Sequence, residues 1–179
     1  GVENLQALDA GFANLEKHIE NIAKFGVPCI VSINVFGTDT QAELELVKSK
    51  CKALGVEAVF SHVFDKGGAG GVELAEELIN LIYTVPTQFK PLYKLDLPIK
   101  EKIWRIASEI YGASDVIYSD EAISAVMSIE ALKLDKLPVC IAKTQYSLSD
   151  NKDLVGRPAN FTLSVKEVRL SAGAGFIVV

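Results

Sequence analysis

The sequence predicts an α/β fold: a parallel sheet with flanking helices, followed by a second α/β unit. Two observations carry that prediction. Through residues 1–89, stretches of helical period alternate with short, continuous apolar runs, the order produced by parallel strands with helices packed on their faces. Pro86, Pro91 and Pro98 then interrupt regular structure, and the alternation resumes beyond them. The expected division is therefore 1–89 and 90–179.

Leu5, Leu8, Phe12, Leu15, Ile19 and Ile22 recur at steps of three and four. They form one apolar helix face, running to about Phe25 and stopped by Gly26. His18 falls off that stripe and reads as a solvated residue. "VPCIVSINVF" is short, apolar and β-branched, the pattern of a fully buried strand. Asp39 or Thr40 can cap the next helix, and Thr40 with Glu43 has capping-box spacing. That helix carries Leu44, Val47, Cys51 and Leu54 on one face and ends at Gly55. "VEAVFSHVF" reads as the next strand; it runs into "DKGGAGG" and a helix from Val72 to about Thr84.

In the second half, a helix near Ile99–Tyr111 presents Ile103, Ile106, Ala107 and Ile110, and Gly112 closes it. Ser119-Asp120 caps a helix through about Leu132. "LPVCIAKT" reads as a strand, "SLSDNKDLVGRPANF" as a polar loop, and the alternating "FTLSVKEVRLS" as one half-buried strand. The sequence closes on "AGAGFIVV", an apolar run of core-strand character, which suggests a piece of a longer polypeptide.

Composition limits the function. An apolar fraction of 49% supplies a sizeable core, and a net charge of -5 argues against a general nucleic-acid binder. No apolar run approaches the roughly 20 residues of a membrane span, and "GVENLQALDA" lacks the features of a signal peptide. Cys29, Cys51 and Cys140 are scattered, without a CxxC pair, and are expected as buried free thiols in a reducing cytoplasm. His18 and His62 lack metal-ligand spacing.

In open parallel sheets, ligands bind beyond the carboxyl ends of the strands. Two loops leave such ends, "INVFGTD" and "HVFDKGGAGG". Phe36 and Phe64 occupy equivalent places in them. Two exposed aromatics there can sandwich a flat ring, each stack contributing about 0.5–1.5 kcal/mol beyond area burial; ordinary core packing explains them equally well. Asn34 and Asp39 offer an amide and a carboxylate to the edge of a heterocycle, against the simpler reading of a turn and a helix cap. Glycines 67, 68, 70 and 71 before a helix let backbone N–H groups approach an anion, and Lys66 adds a charge. No Lys-Ser/Thr follows them, so this is not a Walker-type phosphate loop, and a flexible turn is the plainer reading. Lys143 after a strand, and the isolated Arg157 and Arg169, are compatible with solvated loops. No nucleophile-elbow pattern is present.

The stretches "ANLEKHIENIAKFGVP", "INVFGTDTQAELEL", "KGGAGG", "LYKLDLPIKEKI", "EIYGASDV", "LPVCIAKTQYSLSD" and "VKEVRLSAGAGFIVV" together resemble an internal to C-terminal segment of formate–tetrahydrofolate ligase, in its bacterial, single-function form. The resemblance covers nearly the whole chain. It implies that residues 1–89 are the C-terminal part of a P-loop NTPase-like nucleotide- and folate-binding domain, and that 90–179 form a second, truncated α/β domain. The reaction it implies is ATP-dependent formylation of tetrahydrofolate at N10 through formyl phosphate. Its substrates are formate, ATP as a Mg2+ complex, and tetrahydrofolate; a monovalent cation often supports the activity. It further implies a cytoplasmic homotetramer without nucleic-acid or membrane partners. Phe36 and Phe64 match the family's pterin platform, with Phe64 where Trp is usual. Asn34, Thr38 and Asp39 would line the same crevice, with Lys66, Gly67 and Gly68 at its far wall. The family's Gly-rich phosphate loop ending in Lys-Ser/Thr has no counterpart here, so the chain alone is expected to be inactive. The alternative is a non-catalytic α/β module that binds a folate or a partner protein.

Overall fold

The computed structural model describes residues 2–142 and 147–179. The chain divides into two compact units, Gly1–Lys90 and Pro91–Val179.

The first unit begins with helix α1, Leu5–Lys24, capped by the Asn4 side chain, which accepts from the Ala7 amide at 2.9 Å. Phe12 and Ile19 of the predicted stripe are buried, while Leu5 and Ile22 at its ends remain exposed. Gly26 ends the turn at φ +68°, where a Cβ would collide with the Gln88 carbonyl. The Gly26 carbonyl accepts from Gln88 N at 2.9 Å, and Phe25 O accepts from Lys90 N at 3.0 Å. The end of the unit is thus tied back beside the first turn.

Strand β1, Ile30–Asn34, leads to helix α2, Gln41–Ala53, and strand β2, Glu57–Ser61, follows. The two strands are parallel, with Ile30 opposite Glu57 and Asn34 opposite Ser61. The unit's core gathers Phe12, Ile19, Cys51 and Ala58, with Leu15, Cys29, Val31, Ile33, Val47 and Val56 packed against them. Helices α1 and α2 therefore cover one face of the sheet. The expectation of a fully buried β1 is corrected: Ser32 and Asn34 are exposed and alternate with the half-buried Val31 and Ile33. That is the period of a strand covered on one face. Beyond β2, a single-turn helix α3, Val63–Lys66, and a 3₁₀ turn, Gly67–Gly71, precede helix α4, Val72–Thr84.

In the second unit, helix α5, Ile99–Arg105, continues through π-helical turns, Ile106–Tyr111, and closes at Gly112 in the left-handed region. Strand β3, Asp115–Tyr118, comes next; four residues between a helix end and a cap gave too little pattern to predict it. Helix α6, Asp120–Ala131, starts at Ser119, whose hydroxyl accepts from Ala122 N at 3.0 Å. Strands β4 (Val139–Cys140), β5 (Thr162–Val165), β6 (Arg169–Ser171) and β7 (Phe176–Val178) complete the unit. β3 and β5 pair in parallel; β7 lies between β4, parallel to it, and β6, antiparallel to it. The single strand expected over "FTLSVKEVRLS" is therefore two. Its halves pair with different partners, and the chain must turn between Val165 and Arg169.

Two buried polar contacts brace this unit. Lys102 is fully buried, and its ammonium donates to the carbonyls of Asp135 at 2.5 Å and Leu137 at 3.0 Å. Desolvation depresses its pKa. The Tyr93 hydroxyl accepts from Val139 N at 2.9 Å and donates to Val139 O at 3.3 Å, occupying the edge of β4 as a neighbouring strand would. The cysteine expectation is corrected in part. Cys51 is buried and Cys29 half-buried, and burial pushes both thiols up, but Cys140 is exposed. No helix among the described residues is long and apolar enough to cross a membrane.

Candidate ligand site at the strand ends

The register of the first unit's sheet sets the site. Asn34 and Ser61 are the paired last residues of β1 and β2, so the loops that follow leave from the same edge. The Val35 amide extends the pairing by donating to Ser61 O at 2.9 Å. Phe36 lies two residues beyond Asn34, and Phe64 three beyond Ser61. Their rings meet with centroids 5.1 Å apart at an angle of 55°, a tilted contact within the range that aromatic quadrupoles favour. Phe36 is 45% exposed and Phe64 80% exposed, so this pair is not a core contact.

The two rings are held differently. Phe36 sits in a closed turn: its amide donates to Asp39 Oδ2 at 2.8 Å, and the Asp39 amide donates back to Phe36 O at 3.0 Å. Helix α2 is capped by the next residue. The Thr40 hydroxyl accepts from Glu43 N at 3.3 Å, and Glu43 Oε2 accepts from Thr40 N at 3.1 Å. The Glu43 carboxylate also accepts from Asn4 N at 3.0 Å. These backbone donors hold its pKa below the usual carboxylate range. The capping-box expectation for Thr40 and Glu43 is met, and the Asp39 carboxylate is turned back to Phe36 instead.

Phe64 rides on α3, and the backbone of His62 closes the loop beneath it. His62 N donates to Gly70 O at 3.0 Å, and His62 O accepts from Lys66 N at 2.9 Å. A Cβ on Gly70 would collide with the His62 carbonyl. Gly67, at φ +56°, occupies a backbone region that side chains disfavour, with open space around it. Gly70 therefore serves a close backbone approach. Nothing in its spacing separates it from the three other glycines of the loop, and the closing role of His62 leaves no mark in the sequence either.

Of the predicted site residues, the structure brings Phe36 into contact with both Phe64 and Asp39, and pairs Asn34 with Ser61 at the same strand edge. Thr38 is exposed on the Phe36 turn, and Lys66, Gly67 and Gly68 are exposed at the end of α3. Lys143 lies outside the described residues. Among the described residues no group of three His, Cys, Asp or Glu side chains is placed to hold a metal ion. A groove of about 480 Å³ opens at the opposite, amino end of the strands, lined by Ile19, Cys29, Lys52, Leu54 and Leu81 among others. It is a mostly apolar gap between helix ends, and the paired loops do not reach it.

An exposed aromatic pair at the carboxyl edge of parallel strands suits a flat, partly apolar ligand such as a fused heterocycle. The family model described as formate–tetrahydrofolate ligase matches residues 1–179, the whole of the chain. With that match over both units, the chain belongs to the formate–tetrahydrofolate ligase family, ligases of tetrahydrofolate one-carbon metabolism.

Proposed function

We propose that these residues supply the pterin-binding side of the site in an ATP-dependent formate–tetrahydrofolate ligase. In this reading a formate oxygen attacks the γ-phosphorus of ATP and ADP leaves, giving formyl phosphate. The N10 lone pair of tetrahydrofolate then attacks the formyl carbon. The carbon–oxygen bond to phosphate breaks, N10 loses its proton, and 10-formyltetrahydrofolate and phosphate result. Residues 1–89 act as the C-terminal part of a P-loop NTPase-like nucleotide- and folate-binding domain, and 90–179 as part of a second α/β domain, in a cytoplasmic homotetramer. Phosphoryl transfer rests on positioning and charge stabilisation. The Gly-rich loop ending in Lys-Ser/Thr that provides these is not among the 179 residues. The complete enzyme supplies it elsewhere, and this segment alone is inactive.

The observation that carries the reading is the exposed Phe36–Phe64 pair. A ring sandwiched between two others needs parallel faces about 7 Å apart, twice the roughly 3.5 Å contact distance between carbons. At 5.1 Å and 55° the two rings fill the slot themselves, so the pterin enters by parting them. Phe64 is the ring that moves, being 80% exposed on a single helical turn, while the Asp39 turn holds Phe36. Asn34, Thr38 and Lys66 border the opening, with Gly67 and Gly68 beyond.

The test is product formation by the complete enzyme supplied with formate, ATP and tetrahydrofolate. The reading expects 10-formyltetrahydrofolate and ADP in equal amounts. Formylation without ATP consumption, or none with all three substrates present, overturns it.

A further inference from the structure

The Asp39 carboxylate invites assignment as a direct ligand of the heterocycle or as the cap of α2. The geometry excludes the second role, because Thr40 and Glu43 complete the capping box without it. It also redirects the first. Oδ2 is engaged at 2.8 Å by the Phe36 amide, and the Asp39 amide returns a 3.0 Å bond to Phe36 O. The result is a two-bond ring across Phe36, Gly37, Thr38 and Asp39, with Phe36 at its head. Gly37 has open space where a Cβ would be and Thr38 is exposed, so neither residue packs to fix the Phe36 backbone. The Val35 amide bond to Ser61 O anchors the residue before it, and the Asp39 ring anchors Phe36 itself.

From this we infer that Asp39 is a positioning residue for folate binding, acting through Phe36 rather than on the ligand. The inference rests on the pterin reading of Phe36. What the turn requires at position 39 is an acceptor oxygen three residues after an amide, which an asparagine supplies as well as an aspartate. A ligand that paired with the carboxylate's charge would not accept that exchange.

The experiment compares Asp39→Asn and Asp39→Ala in the complete enzyme, measuring the KM for tetrahydrofolate, the KM for ATP and the melting temperature, with Phe36→Ala as reference. A net hydrogen bond of about 0.5–1.5 kcal/mol corresponds to a change of about two- to twelve-fold. Asp39→Ala is expected to raise the tetrahydrofolate KM within that range, with the ATP KM little changed. Asp39→Asn is expected to restore the tetrahydrofolate KM to near the parent value. A raised tetrahydrofolate KM in Asp39→Asn overturns the inference in favour of direct charge contact. An unaffected KM in Asp39→Ala overturns it as well. If Asp39→Ala does not fold, Asp39→Asn decides alone by the same criterion. Should Phe36→Ala leave the tetrahydrofolate KM unchanged, the pterin reading itself fails, an outcome distinct from a null result at Asp39.

Discussion

Replacing Phe36 with alanine removes the fixed wall of the proposed platform, and its effect can be worked from the exposed surface. A phenylalanine side chain buries on the order of 200 Å² when covered, and Phe36 is 45% exposed. About 90 Å² is thus available to a ligand, worth about 2.3 kcal/mol at roughly 25 cal/mol per Å². Stacking on the pterin adds about 0.5–1.5 kcal/mol. Parting the Phe36–Phe64 contact costs a similar amount, so the two nearly cancel. The remainder of about 2.3 kcal/mol predicts a rise of about 50-fold in the tetrahydrofolate KM. The assay is the initial rate of 10-formyltetrahydrofolate formation by the complete enzyme, with formate and ATP saturating and tetrahydrofolate varied. The same variant, titrated with ATP at saturating tetrahydrofolate, should show a nearly unchanged KM. A tetrahydrofolate KM within about twofold of the parent, below the half-kilocalorie floor of a single stack, rules out Phe36 as a wall of the pterin site. So does an equal rise in both KM values.

Gly70→Ala should be damaging although no ligand contact is assigned to Gly70. The added methyl meets the His62 carbonyl, and relieving a backbone clash of this kind costs about 1–3 kcal/mol. Thermal melting should show that loss, and the tetrahydrofolate KM should rise with it because α3 carries Phe64. Stability should also fall in alkali. Burial pushes the Tyr118 hydroxyl up to about 12, above the roughly 10 of an unfolded tyrosine. The folded state then holds more protons than the unfolded one between those values, so this contribution is complete below about pH 10 and lost as pH rises toward about 12. Tyr118→Phe should flatten that decline in denaturant titrations run across the window; an unchanged slope would remove Tyr118 as its source.

Much of the fold was legible because local signals agreed with the tertiary outcome. The 3–4 spacing from Leu5 to Ile22 gave α1 almost to the residue, and Thr40 with Glu43 gave the start of α2. Strands were harder. β3 has only four residues, squeezed between the Gly112 helix end and the Ser119 cap, and β5 and β6 read as one alternating run because periodicity does not say which neighbour a strand will choose. Burial was overestimated at β1 and at Cys140, since an apolar run records what can be covered rather than what is. At the site, Phe36 and Phe64 were visible as equivalent positions after two strands. Their direct contact was not, and neither was the bond from the Asp39 carboxylate back to the Phe36 amide. The first depends on how two loops separated by a helix close in space, the second on which of two adjacent side chains takes the cap. Gly70 illustrates the same limit: four glycines look alike in sequence, and the His62 carbonyl is what singles out Gly70 as the close backbone approach.

Entry of a pterin between Phe36 and Phe64 can be followed by making one wall report on the ligand. In the complete enzyme, Phe64→Trp enlarges that wall and gives it a fluorophore distinct from Trp104, the tryptophan already in this segment. The difference in emission between variant and parent isolates the introduced indole, and it is titrated with tetrahydrofolate. Saturable quenching of that difference signal is expected, tracking the variant's own tetrahydrofolate KM and moving to higher concentration when Phe36→Ala is added. A difference signal that ignores tetrahydrofolate while the variant turns over normally would contradict that mode of entry.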